Sequence, residues 1–111
     1  MIYVAGPYYH IDPAVIEKRM EVVYSVMASL FNYGLHPVSP MLMHSVVIRH
    51  SLPNTFEFWG SYSFEMLSKC HSMVVIKSEG WETSRGVKAE IEFCKVNKIF
   101  IMYVDPKDYI K

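Results

Sequence analysis

The run Gly80-Trp81-Glu82-Thr83-Ser84-Arg85-Gly86-Val87-Lys88-Ala89-Glu90 holds the residues best suited to chemistry. Ser84 stands where a helix N-cap is expected, and Gly86 lets backbone come close to a ligand. The free N–H groups of such a first turn, aligned with the helix dipole, suit a phosphate or another small anion. The plainer alternative is that Ser84 only caps its own helix. Glu90 is the anomaly. Val87, Ile91 and Cys94 define the inward stripe of the predicted helix, and Glu90 falls on the same face. Lys88, Glu92 and Lys95 take the outward face, where charges belong. A carboxylate on an apolar stripe costs several kcal/mol unless it is paired, protonated or used. Two readings stand: a buried Glu bonded to backbone or a Tyr, or a catalytic carboxylate two turns into a helix that opens on a crevice.

Other candidates are fewer. Tyr3, Tyr8 and Tyr9 flank Gly6-Pro7, and Gly6 would admit a ligand to the end of a first strand. Tyr8 is the better ligand contact, whereas Tyr3 can equally be core. Trp59 and Trp81 can stack on a base or a ring, or simply pack. His36, His44 and His50 lack the paired spacing of a zinc site, so no metal is expected. Cys94 sits on the helical stripe with no His partner in sequence and reads as core. Neither a P-loop nor a G-x-G-x-x-G pattern is present.

These residues need elements to position them, and the chain has 111 residues for the purpose, a single domain over 1–111. Eleven basic side chains balance eleven acidic ones, which argues against a nucleic-acid polymer as partner. The longest apolar run, Ile99 to Val104, is far short of the ~20 residues of a membrane span. No signal peptide is legible, and Cys70 and Cys94 form neither a disulfide framework nor a metal knuckle. The expectation is a cytoplasmic protein with two buried thiols. Aromatic content of 14% and eight Met suggest an apolar cleft or an oligomer surface.

Ile2 to Ala5 reads as a buried strand stopped by Gly6-Pro7, and Asp12-Pro13 as the start of an amphipathic helix that Gly34 ends. Leu35 to Val38 is a second predicted strand. Residues 40–55 show no clean period, and a stretch this long suggests a functional or interface segment. Phe56 to Cys70 has helical spacing, Met73 to Ile76 is a third strand, and a turn follows from Lys77 to Thr83. Ser84 to about Asn97 is a helix and Ile99 to Val104 a fourth strand. Strands alternating with helices predict a parallel sheet covered on both faces, with ligands outside the strands' carboxyl ends where strand order reverses. That rule selects the loops after Ala5, Val38 and Ile76.

Tyr3-Val4-Ala5-Gly6-Pro7 together with Ser84-x-Gly86-Val87-x-x-Glu90 resembles the nucleoside 2-deoxyribosyltransferase superfamily, which includes deoxynucleoside-monophosphate N-glycosidases. Within it the chain looks closest to a small uncharacterised family of bacterial and phage genomes. The shared features are Tyr3 to Tyr8, Phe58-Trp59, Met66-Leu67 and Gly80 to Glu90, so the likeness spans nearly the whole chain. It implies a flavodoxin-like (Rossmann-like) three-layer α/β sandwich with a central parallel sheet of four or five strands. It further implies cleavage or transfer at the N-glycosidic bond of a nucleoside or nucleoside 5′-monophosphate. Glu90 would attack C1′ of the sugar, as carboxylates do in retaining glycosidases. Ser84 and Gly86 match positions that hold a 5′-phosphate, and Gly6 and Tyr8 match the loop that shapes the base and sugar pocket. Tyr3, Pro7, Trp59, Gly80 and Trp81 complete the implied substrate-binding set. No cofactor is implied, and a homo-oligomer, dimer or tetramer, is. The 40–55 stretch with His44 and His50 is the expected partner surface or lid.

The chain departs from the superfamily at one place. Members usually carry an aspartate four residues after the middle-helix Trp, and here that position is Ser63. Serine is no general acid near neutral pH. Either another group serves, such as Glu57 or a Tyr, or the protein is a nucleotide-binding module without chemistry.

Overall fold

Pro13 follows an Asp12 whose carboxylate accepts from Ala14 N at 2.9 Å, and from this cap the longest helix starts. The computed structural model describes residues 1–109. Its regular elements are β1 (Ile2–Ala5), α1 (Pro13–Asn32), β2 (Pro37–Val38), α2 (His44–His50), α3 (Phe56–Ser68), β3 (Ser72–Ile76), α4 (Arg85–Val96) and β4 (Phe100–Val104). Short 3-10 turns occupy Pro40–Met43 and Pro106–Asp108. The four strands form one all-parallel sheet in the order β2-β1-β3-β4.

Alternation along the central strands sorts the core into two layers. Ile2 and Val4 of β1, with Val74 and Ile76 of β3, pack under α1 through Met20, Val23, Val26 and Met27. Tyr3 and Ala5, with Met73 and Val75, pack against Leu67 of α3 and Val87 and Cys94 of α4. Helices therefore cover both faces, and the fold is the expected flavodoxin-like three-layer sandwich, with four strands. From β1 the chain steps outward to β2, then returns across β1 to start β3. Strand order thus reverses between β1 and β3, and a crevice opens beyond their carboxyl ends.

Three boundaries differ from the sequence reading, each for a local reason. The second strand is only Pro37–Val38, because Leu35 N is spent on Leu30 O in closing α1, where Gly34 takes a left-handed φ of 79°. The third helix stops at Ser68 rather than Cys70, whose N–H closes a final turn on Leu67 O. The unreadable 40–55 stretch contains α2, seven residues long and ended by Ser51 at φ 52°. Too short to show a period, it has no side-chain N-cap to announce it. Phe100, Met102 and Tyr103 of the edge strand β4 are exposed. Among the described residues no helix is long and apolar enough to cross a membrane.

Candidate active site

Ser84 caps α4 by accepting from Val87 N at 3.3 Å, so the first-turn N–H groups of Arg85 and Gly86 have no intrahelical partner. They open on a cavity of about 830 Å³, within the size range of small-molecule sites. Gly6, Pro7 and Tyr8 from the loop after β1 line it, as do Trp59 and Ser63 of α3. Gly80, Ser84, Gly86 and Glu90 line the side formed by the β3–α4 loop and α4. The structure thus brings nine of the sequence-selected residues to one crevice.

Glu90 is the buried acid that the helical pattern predicted, 8% exposed on the inward face of α4. The fully buried Tyr3 hydroxyl donates to its Oε2. Burial pushes the Glu90 carboxyl up to about 7, and the Tyr3 hydrogen bond pulls against that rise. The Tyr3 phenol is itself driven far above its ordinary value, by burial first and by the Glu90 charge second. Ser63 opposes that shift through its own hydrogen bond to the phenol. Strand β1 and helices α3 and α4 therefore converge on one proton-bearing cluster, Ser63–Tyr3–Glu90, beneath the cavity. A carboxyl held near neutrality, half ionised at physiological pH, can serve as nucleophile or base.

Two selected residues lie elsewhere. Tyr3 does not line the cavity; it supports Glu90 from behind. Trp81 turns away from the crevice, packs on the α3–α4 side of the core, and sits 5.6 Å from the Tyr103 ring. The reason is the turn: Gly80, at φ 91°, swings the following residue toward β4. Cys94 is fully buried, with burial and the Glu90 charge raising its thiol to about 11, a core thiol without nucleophilic character. Trp59 is held at the cavity rim by its Nε1 donating to Pro53 O at 2.6 Å.

Sequence reasoning missed the groups that fix the loops. Arg19 lies on α1. Its guanidinium donates to Tyr9 O at 2.8 Å, Tyr8 O at 3.3 Å and Glu79 O at 2.8 Å. It thereby joins the loops after β1 and β3 at the switch point. Gly80 faces this guanidinium, and its φ of 91° is what favours glycine there. His44, at the start of α2, is buried between Tyr8 and Glu17. His50 lies exposed at the far end of that helix. Arg85 pairs with Glu57 and lies 5.0 Å over the Phe56 ring, a cation at the mouth. An arginine placed among carbonyls is signalled in sequence only by its interruption of an apolar stripe.

Arg19→Met keeps the stem and removes the three bonds. It is expected to cost about 2 kcal/mol in denaturant unfolding and to raise KM for a cavity ligand more than it lowers kcat. Unchanged stability would mean the two loops hold their places without it.

Comparison with curated proteins found no match. Residues 1–104, nearly the whole chain, match the family described as a domain of unknown function (DUF1937), and the protein belongs to that family.

Proposed function

We propose that the protein cleaves or transfers at the N-glycosidic bond of a nucleoside or nucleoside 5′-monophosphate, with Glu90 as nucleophile at C1′. The observation that carries this reading is a carboxylate on the wall of a cavity at the sheet's switch point, raised to about 7 by burial against the pull of its Tyr3 hydrogen bond. The resemblance of Tyr3–Pro7 and Ser84–Glu90 to the deoxyribosyltransferase superfamily supplies the substrate class. The Arg85 and Gly86 N–H groups at the α4 N-terminus suit a 5′-phosphate, with Ser84 and the Arg85 cation beside them. Trp59 offers a ring for a base, and Gly6, Pro7 and Tyr8 line the same cavity.

In the first step Glu90 bonds to C1′ as the base departs with the glycosidic electron pair. In the second, water or another base displaces the carboxylate, so configuration is retained. Base release, followed by chromatography over deoxy and ribo nucleosides and 5′-monophosphates, tests the reading. Release by the wild type is expected, and none from any substrate would overturn it.

A second reading is favoured by Ser63, which puts a hydroxyl where the superfamily has an acid: a nucleotide-binding module that senses or sequesters. Saturable binding without base release would support it. Two free buried thiols suit a reducing, cytoplasmic setting. The exposed Phe100, Met102 and Tyr103 on edge strand β4 suit a homo-oligomer contact. Light scattering in solution reads that directly: a dimer or tetramer is expected, and a monomer at micromolar concentration would contradict it.

A further inference from the structure

Tyr8 Oη lies 2.6 Å from His44 Nδ1, and His44 Nε2 lies 2.9 Å from Glu17 Oε1. Tyr8 and His44 both line the cavity, His44 is buried, and the Glu17 side chain is 65% exposed. The three groups form a continuous hydrogen-bonded line from the cavity, through a buried imidazole, to solvent on the face of α1. Resting on the glycosidic reading above, we infer that Tyr8, backed by His44 and Glu17, is the acid that protonates the departing base.

The cavity needs such a group, because a base anion leaves poorly and Ser63 cannot supply a proton near neutral pH. The other polar side chains named at the site are engaged elsewhere. Glu57 is paired with Arg85 at the exposed mouth, and Arg19 is spent on three carbonyls. Among the described residues Tyr8 alone connects the cavity to a histidine and onward to a carboxylate. Burial raises its phenol above the ordinary value, so it holds its proton until a base takes it.

The step balances without outside reactants. The C1′–N bond breaks with its electron pair going to the base, while a Glu90 oxygen forms the C1′–O bond. The Tyr8 hydroxyl proton passes to the base, and the Nδ1 proton of a protonated His44 passes to the Tyr8 oxygen. Neutral His44 and ionised Glu17 remain. When water attacks C1′ and Glu90 departs as carboxylate, the water's proton returns through Tyr8 to His44.

The test compares leaving groups. Tyr8→Phe and His44→Gln are assayed beside the wild type on dGMP and N7-methyl-dGMP, and on dUMP and 5-fluoro-dUMP. In each pair the second base leaves with less help from a proton. Thermal unfolding confirms that each variant is folded, and Tyr8→Phe keeps the ring should His44→Gln unfold. On the pair the wild type cleaves, Tyr8→Phe is expected to lose about 10²–10⁴-fold on the ordinary base. Its loss on the activated base should be at least ten times smaller. Equal losses on both members would make Tyr8 a positioning residue and overturn the relay alone, as would no loss on either. A wild type that releases no base from these four or from the wider panel of nucleosides and 5′-monophosphates would overturn the glycosidic reading, and the relay with it.

Discussion

Glu90→Gln is expected to lower base release by about 10³-fold or more while making the protein more stable above pH 7. Both effects come from one buried carboxyl. Its amide has no oxygen that can carry the sugar, so the covalent route closes. Its stability effect follows from linkage. The folded carboxyl titrates near 7 against an ordinary value of 4.5, so the folded state holds a proton that the unfolded chain gives up. The associated stability is fully present below about pH 4.5 and is lost as pH rises through 7. A shift of this size corresponds to about 3 kcal/mol at pH 8. Glutamine keeps the shape, accepts from Tyr3, and carries no charge to desolvate. Its melting temperature should therefore exceed the wild type's by roughly 10 °C at pH 8, with the gap closing toward pH 5. A gap that stays constant with pH would mean Glu90 is not the titrating group.

Tyr3→Phe should move the pH dependence of turnover rather than abolish it. In the wild type the nucleophile must be ionised, so kcat/KM is expected to rise with pH through about 7. Tyr3 is fully buried and donates to the carboxylate, and that bond favours the ionised form. A hydrogen bond to a charged group contributes about 1.5–3 kcal/mol, so its removal should raise the midpoint by one to two units or slightly more. The variant would then lose about 10–100-fold at pH 7 and recover toward pH 9 on an activated base, whose release does not draw on the His44 proton. A uniform loss at every pH would assign Tyr3 to packing alone. Because the ring stays packed between the sheet and helices α3 and α4, a collapse of the fold is not expected.

Much of this site could be read from the chain because it lies on long elements with strong periods. Glu90 stood out because α4 has a clear inward stripe, Val87, Ile91 and Cys94, against which one acid is conspicuous. Asp12-Pro13 and Gly34 marked α1 because caps are local and their chemistry is carried by single residues. The relay was not legible. Tyr8, His44 and Glu17 belong to a loop, a seven-residue helix and the outer face of α1, and only tertiary packing brings them together. The same holds for Arg19, whose partners are backbone carbonyls and carry no residue identity. Trp81 shows the opposite error: its place in a chemical motif suggested a ligand contact, while the turn at Gly80 commits it to Tyr103.

The most direct test of the central claim is intact-protein mass spectrometry after incubation with a 2′-deoxy-2′-fluoro nucleoside 5′-monophosphate. The fluorine destabilises the oxocarbenium-like transition state and slows breakdown of a covalent intermediate. A mass gain equal to one fluorinated deoxyribose phosphate is expected, mapping to the peptide that carries Glu90 and absent from Glu90→Gln. An adduct on another residue, or base release that Glu90→Gln sustains without any adduct, would contradict it.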